Sequence, residues 1–136
     1  MIILLSFLIF TVDCWDGGPK YDNEPVIYHG IRGKTLTSKI FFKDVVKDAI
    51  LPYAFCKSEF PLILSIENHC SVEYQDQMAD CLVNLLGDIL YTEKVDETRC
   101  ELPSPDELRG KILVKAKKRR THEQEGTYDV HVFCSD

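Results

Sequence analysis

Three apolar runs in this 136-residue chain end on a group that can do chemistry. The first leads into Asp13-Cys-Trp-Asp-Gly17, the second is Pro25-Val-Ile-Tyr followed by His29-Gly30, and the third is Pro61-Leu-Ile-Leu-Ser-Ile followed by Glu67-Asn-His69. A parallel barrel presents its reactive groups in this way, at the carboxyl ends of its strands. The layout therefore reads as an enzyme face carrying Asp13, His29 and Glu67. A strand-end carboxylate suits a hard cation, and an imidazole titrates close enough to neutral pH to deliver or retrieve a proton. A fourth run, Lys111-Ile-Leu-Val-Lys-Ala-Lys-Lys118, sets Lys115 and Lys117 two residues apart. On a strand, that alternation sends both ammonium groups to the same side, where as point charges they suit phosphate. Standing alone, each group has a plainer reading. Asp13 would be a solvated loop acid, His29 a structural histidine, and the lysines part of a solvated basic run. The remaining histidines, His69, His122 and His131, take the plain reading.

These groups need rigid elements to aim them. Residues 5–14 form a continuous apolar run expected of a strand covered on both faces, as in a parallel sheet. Gly17, Gly18, Pro19 and Asn23 break it into a turn, and 25–28 reads as a second short strand. Val45, Val46, Ala49, Ile50, Tyr53 and Ala54 fall on one helical stripe over 42–57, which Pro52 should kink or divide. Residues 60–66 read as a buried strand. A helix is expected over 71–91, capped by Ser71, with Met78, Leu82, Leu85, Leu86 and Ile89 inward. Ser104-Pro105-Asp106 has the cap, proline and acid of a helix start, closed by Gly110. Residues 112–114 make another strand, and 123–136 a polar tail with one further strand at 128–133. Strands alternating with helices imply a parallel α/β arrangement, about half of a (β/α) barrel.

Composition narrows the function classes. At 45% hydrophobic and 28% charged residues the chain is that of an ordinary globular protein. A net charge of -6 supplies no electrostatic footprint for nucleic acid. Of six cysteines, Cys14, Cys56 and Cys81 sit in apolar segments, where a reduced thiol behaves as a small hydrophobe. Reduced thiols and a cytoplasmic chain are expected, rather than a small secreted disulfide protein. The apolar start, 1–12, has the length of a signal-peptide core but no basic flank or small-residue cleavage pattern, and it is too short to span a bilayer. A strand leading to Asp13 is the reading adopted. Gly33-Lys34-Thr35 imitates the end of a phosphate-binding loop, but Tyr28 stands where that loop needs glycine.

Taken together, the Asp-Cys-Trp-Asp-Gly, Ile-Tyr-His-Gly, Ser-Ile-Glu-Asn-His, Leu102-Pro-Ser-Pro105 and 111–118 segments occur in the order found in the X half of the catalytic barrel of eukaryotic phosphoinositide-specific phospholipase C. The resemblance covers most of the chain. It implies a partial TIM barrel over 1–118, a polar tail over 119–136, and calcium-dependent hydrolysis of phosphatidylinositol 4,5-bisphosphate to diacylglycerol and inositol trisphosphate. That activity belongs to lipid breakdown and signal transduction. The site residues follow by matching. Asp13 and Glu67 would be calcium ligands, with Glu67 also a base. His29 would protonate the leaving group, and Lys115 and Lys117 would hold the ring phosphates. The implied partners are a phosphoinositide headgroup at a peripheral membrane surface and a complementary Y half.

The chain also departs from the family pattern. Thr11 stands where the family has a calcium-binding glutamate, and a first catalytic histidine with its adjoining asparagine is expected on a strand preceding the chain's start. Ile31-Arg-Gly-Lys34 lengthens the loop after His29. Two carboxylates make a weak calcium site, because the ion takes about six to eight oxygens. The isolated chain is therefore expected to be nearly inert. The alternative is a catalytically dead half-barrel that binds phosphoinositide or a complementary protein half.

Overall fold

A computed structural model describes residues 8–31, 34–93 and 103–116. Strand β1 (Leu8–Asp16) is followed by a 3-10 turn (Pro19–Tyr21) and the short strands β2 (Pro25–Ile27), β3 (Gly30–Ile31), β4 (Lys34–Thr35) and β5 (Ile40–Phe41). Then come α1 (Phe42–Asp44), a π-helical turn (Val45–Ile50), α2 (Leu51–Tyr53), β6 (Leu62–Asn68), α3 (Val72–Leu86), a 3-10 turn (Gly87–Ile89) and β7 (Ile112–Ala116). Five strands form one sheet in the order β5-β2-β1-β6-β7, and β3 pairs with β4 in a separate ribbon.

The sheet core is parallel: β6 pairs with β1 on one side and β7 on the other. Helices cover one face, where Val12, Cys14, Leu62, Leu64, Ile66, Ile112 and Val114 meet Phe42, Val46, Ile50, Tyr74, Met78, Leu82 and Leu86. Burying each of the larger side chains contributes about 1.5–3 kcal/mol. The alternation of strand side chains leaves Thr11, Asp13, Trp15, Ser65, Glu67 and Lys115 on the other face. The first residues of β1 are uncovered on both faces, with Leu8, Ile9 and Phe10 at 40% exposure or more.

Several expectations change. β2 runs antiparallel to β1, as β5 does to β2, because the turn between Asp16 and Pro25 is too short for the crossover that parallel strands need. Gly17 makes that turn: a Cβ there would collide with the Glu24 carbonyl oxygen. β1 and β6 continue past the expected ends, to Asp16 and Asn68, so Glu67, like Asp13, lies within its strand rather than after it. The stripe over 42–57 ends at Tyr53, and Pro52 does not divide it. The turn before the proline widens to π geometry, with the Leu51 N–H donating to the Val46 carbonyl five residues back. α3 stops at Gly87, whose positive φ of 49° leaves the right-handed helix. Of its expected inward residues, Met78, Leu82 and Leu86 are buried, and Leu85 and Ile89 pack partly buried against the core.

The helix expected after Ser104 is a series of turns. Its capping pair forms all the same: the Ser104 N–H and Oγ–H donate to Glu107 Oε2 at 2.7 and 2.8 Å, and the Glu107 N–H donates to Ser104 Oγ at 3.3 Å. The few residues before Gly110, which sits at φ 70°, are too short a run to offset helix nucleation. The 119–136 tail, its 128–133 strand and residues 1–7 lie outside the described residues.

Candidate active site

Register sets the site. Asp13 on β1 is the direct partner of Glu67 on β6, and Thr11 that of Ser65. Adjacent strands lie about 4.7–4.9 Å apart, so two carboxylates stand side by side on one face. Lys115 on β7 partners Ser65, which places it on that same face, one alternation below Glu67. Lys117 lies outside the described residues.

His29 arrives from the other side. β2 ends at Ile27, the Tyr28 N–H donates to the Asp13 carbonyl at 3.3 Å, and the next residue turns its ring to the acid. His29 Nδ1 and Asp13 Oδ2 are 2.8 Å apart. The carboxylate can only accept, so Nδ1 carries the hydrogen and Nε2 is left to exchange protons. The backbone of His29 is held on both sides, its N–H donating to Thr37 Oγ1 at 2.9 Å and its carbonyl accepting from Leu36 N–H at 2.8 Å. Asp13 is the sheltered partner, with its side chain 18% exposed against 58% for His29. An acid that orients an imidazole which in turn moves a proton is a recurrent catalytic pairing.

The neighbours of these residues are equally ordered. Trp15 stacks on His69 with centroids 3.9 Å apart and on Tyr28 at 5.1 Å, while Lys39 sits 4.5 Å over the Tyr28 ring. His69 Nε2 is 3.9 Å from Glu67 Oε2, an electrostatic contact longer than a hydrogen bond. Asp16 Oδ1 accepts the Ser71 N–H at 2.9 Å, tying the end of β1 to the start of α3, where the Ser71 side chain makes no cap of its own. Behind Asp13, burial, Cys70 and Asp13 itself push the Cys14 thiol far above the usual range, so it stays neutral and is no nucleophile.

The structure thus brings Asp13, His29 and Glu67 together and puts Lys115 on their face. Sequence reasoning passed over Trp15, Thr37 and His69. Alternation along β1 was the available signal for Trp15, two residues from Asp13.

Residues 8–118 match the family described as phosphatidylinositol-specific phospholipase C, X domain. The chain belongs to this family. This X domain is 48% identical over 124 residues to a 1-phosphatidylinositol 4,5-bisphosphate phosphodiesterase zeta-1 of Sus scrofa, an alignment spanning 88% of the chain and 18% of that protein. It is 54% identical over 112 residues to the eta-1 phosphodiesterase of Homo sapiens, spanning 82% of the chain and 6% of that protein. Among solved structures it is similar to PLC21 of S. officinalis, with a TM-score of 0.69 and 40% identity over 83% of this chain and 14% of that one. The X domain therefore spans less than a fifth of the relatives it matches, and its sheet is part of a TIM barrel.

Asp13 and Glu67 suit calcium by donor chemistry: two hard carboxylates abreast on neighbouring strands repel, and a divalent cation relieves that repulsion. Among the described residues no group of three or more His, Cys, Asp or Glu side chains gathers to hold a metal. No described helix is long and apolar enough to cross a membrane.

Proposed function

We propose that this chain supplies part of the active site of a calcium-dependent phospholipase C that cleaves phosphatidylinositol 4,5-bisphosphate to diacylglycerol and inositol trisphosphate. The observation that carries the reading is the Asp13–His29 pair beside Glu67, with Lys115 on the same face. Relatives named as phosphodiesterases of that lipid support it.

In the reaction, the inositol 2-hydroxyl oxygen attacks the adjacent phosphorus, its bond to hydrogen breaks, and the bond to the diacylglycerol oxygen is cleaved. His29 delivers a proton from Nε2 to that departing oxygen while Asp13 holds Nδ1. Water then opens the cyclic phosphodiester, with the neutral imidazole taking a proton from it. Glu67, besides ligating the ion, is the base that takes the proton from the 2-hydroxyl and returns it to that oxygen as the ring opens. Calcium bound by Asp13 and Glu67 would acidify the attacking hydroxyl and neutralise phosphate charge. Lys115, with Lys117, meets the ring phosphates as point charges. We place the protein in the cytoplasm, peripheral to the membrane that holds the lipid, with a complementary Y half closing the sheet beyond the exposed β1 start at Leu8–Phe10.

The test is hydrolysis of labelled phosphatidylinositol 4,5-bisphosphate in vesicles, with and without calcium, by these 136 residues alone and by the same chain extended by the expected preceding strand and co-expressed with a Y half. Turnover is expected from the complex, in which the added parts close the sheet and complete headgroup recognition, and none measurable from the chain alone. Robust calcium-dependent turnover by the chain alone overturns the inactivity. A folded complex that pellets with the vesicles but hydrolyses nothing overturns the enzyme and favours the headgroup-binding half-barrel.

A further inference from the structure

Three rings lie in a row across the site: Tyr28 from the end of β2, Trp15 from β1, and His69 just beyond β6. The Trp15 indole stacks on two rings, at 5.1 Å and 24° to Tyr28 and at 3.9 Å and 17° to His69. Its edge is engaged as well, because Nε1–H donates to the Tyr28 carbonyl at 3.2 Å. The backbone repeats the connection, with the His69 N–H donating to the Cys14 carbonyl at 2.9 Å. Trp15 acts on the site through these contacts.

What it touches is the backbone carrying the reactive groups. Tyr28 immediately precedes His29, and His69 follows Glu67 by two residues with its Nε2 3.9 Å from the Glu67 carboxylate. Trp15 itself is two residues from Asp13 on the same face of β1. β2 and β6 are not neighbours in the sheet, since β1 lies between them. The indole is thus a side-chain bridge across β1 joining the segment that bears His29 to the segment that bears Glu67. We propose that Trp15 is a positioning residue that sets the separation of His29 from Glu67 by stacking on both Tyr28 and His69. For its catalytic consequence this rests on the phospholipase reading above.

The test compares Trp15→Phe with Trp15→Leu in the full polypeptide, complexed with the Y half. A misplacement of about an ångström costs on the order of a hundredfold in rate. W15L is expected to lower kcat by about that factor with KM held within about twofold, and W15F, which keeps a stacking ring, to recover most of it. In NMR spectra the His69 ring protons should lose their indole ring-current shift in W15L, and the His29 Nδ1-bound hydrogen should move, while the amides of Leu64 and Ile112 stay in place. Unchanged kcat in W15L, equal losses in both variants, or an unmoved His29 resonance would each overturn the clamp. Should the wild-type complex hydrolyse nothing, the enzyme reading falls on its own, and the His29 and His69 resonances still decide whether Trp15 positions them.

Discussion

Asp13 and His29 meet across the antiparallel β1–β2 pair, Oδ2 to Nδ1, at 2.8 Å. The acid is sheltered by the sheet and the imidazole is turned outward, so one end of the ring is fixed while the other faces the solvent side of the site. The two should act as one unit. In the active complex, His29→Gln is expected to reduce kcat by about 10²–10⁴-fold, the usual span for a general acid–base group. Asp13→Asn should fall in the same range, and the double variant should be little worse than either, because residues that act together are strongly non-additive. Steady-state hydrolysis by the three variants checks this. Independent, multiplying losses would show that the pair is not a unit.

Thr11 is exposed on β1, on the face of Asp13 and opposite Ser65. Thr11→Glu should place a third carboxylate next to the first two. Calcium affinity follows ligand charge, so binding should tighten on the order of tenfold. Terbium, a hard ion of similar demands, offers a direct readout, because Trp15 is the sole tryptophan of the chain and stacks beside the site. Sensitised terbium emission should saturate at lower concentration in the variant and vanish in Asp13→Ala.

Burial above all, with Cys70 and Asp13 adding to it, raises the Cys14 thiol well beyond its ordinary value, and burial pushes Cys81 up to about 11. Only the thiolate reacts. Brief iodoacetamide treatment of the folded protein at neutral pH should therefore modify the exposed Cys56 and spare Cys14 and the buried Cys70, as peptide mass spectrometry would show. Early modification of Cys14 would mean that β1 does not pack as described.

The backbone N–H and the hydroxyl of Ser104 hold the Glu107 carboxyl below its ordinary range. A depressed native value stabilises the folded turn at pH above the ordinary glutamate value, and that contribution disappears as pH falls through the native one. The Leu108 amide, bonded to the Ser104 carbonyl at 3.2 Å, should then exchange faster in acid once the intrinsic rate is corrected. Glu107→Gln should remove this pH dependence.

Much of this protein was determined by local sequence. The apolar runs ending near Asp13 and Glu67 became β1 and β6, because short apolar runs bounded by turn residues suit strands. The Met78, Leu82, Leu86 spacing became the buried stripe of α3. Asp13, His29 and Glu67 stood out because reactive groups at the ends of apolar runs are conspicuous. Local pattern could not decide register, and a slip of one residue would have sent Asp13 to the helix-covered face. Pairing with β6 settled that, placing Asp13 beside Glu67. The antiparallel course of β2, which delivers His29, was decided by the close approach of Gly17 to Glu24. The π turn before Pro52 and the stacking of Trp15 on Tyr28 and His69 were likewise invisible in one dimension. Each depends on residues far apart in the chain or on packing that local propensity does not encode.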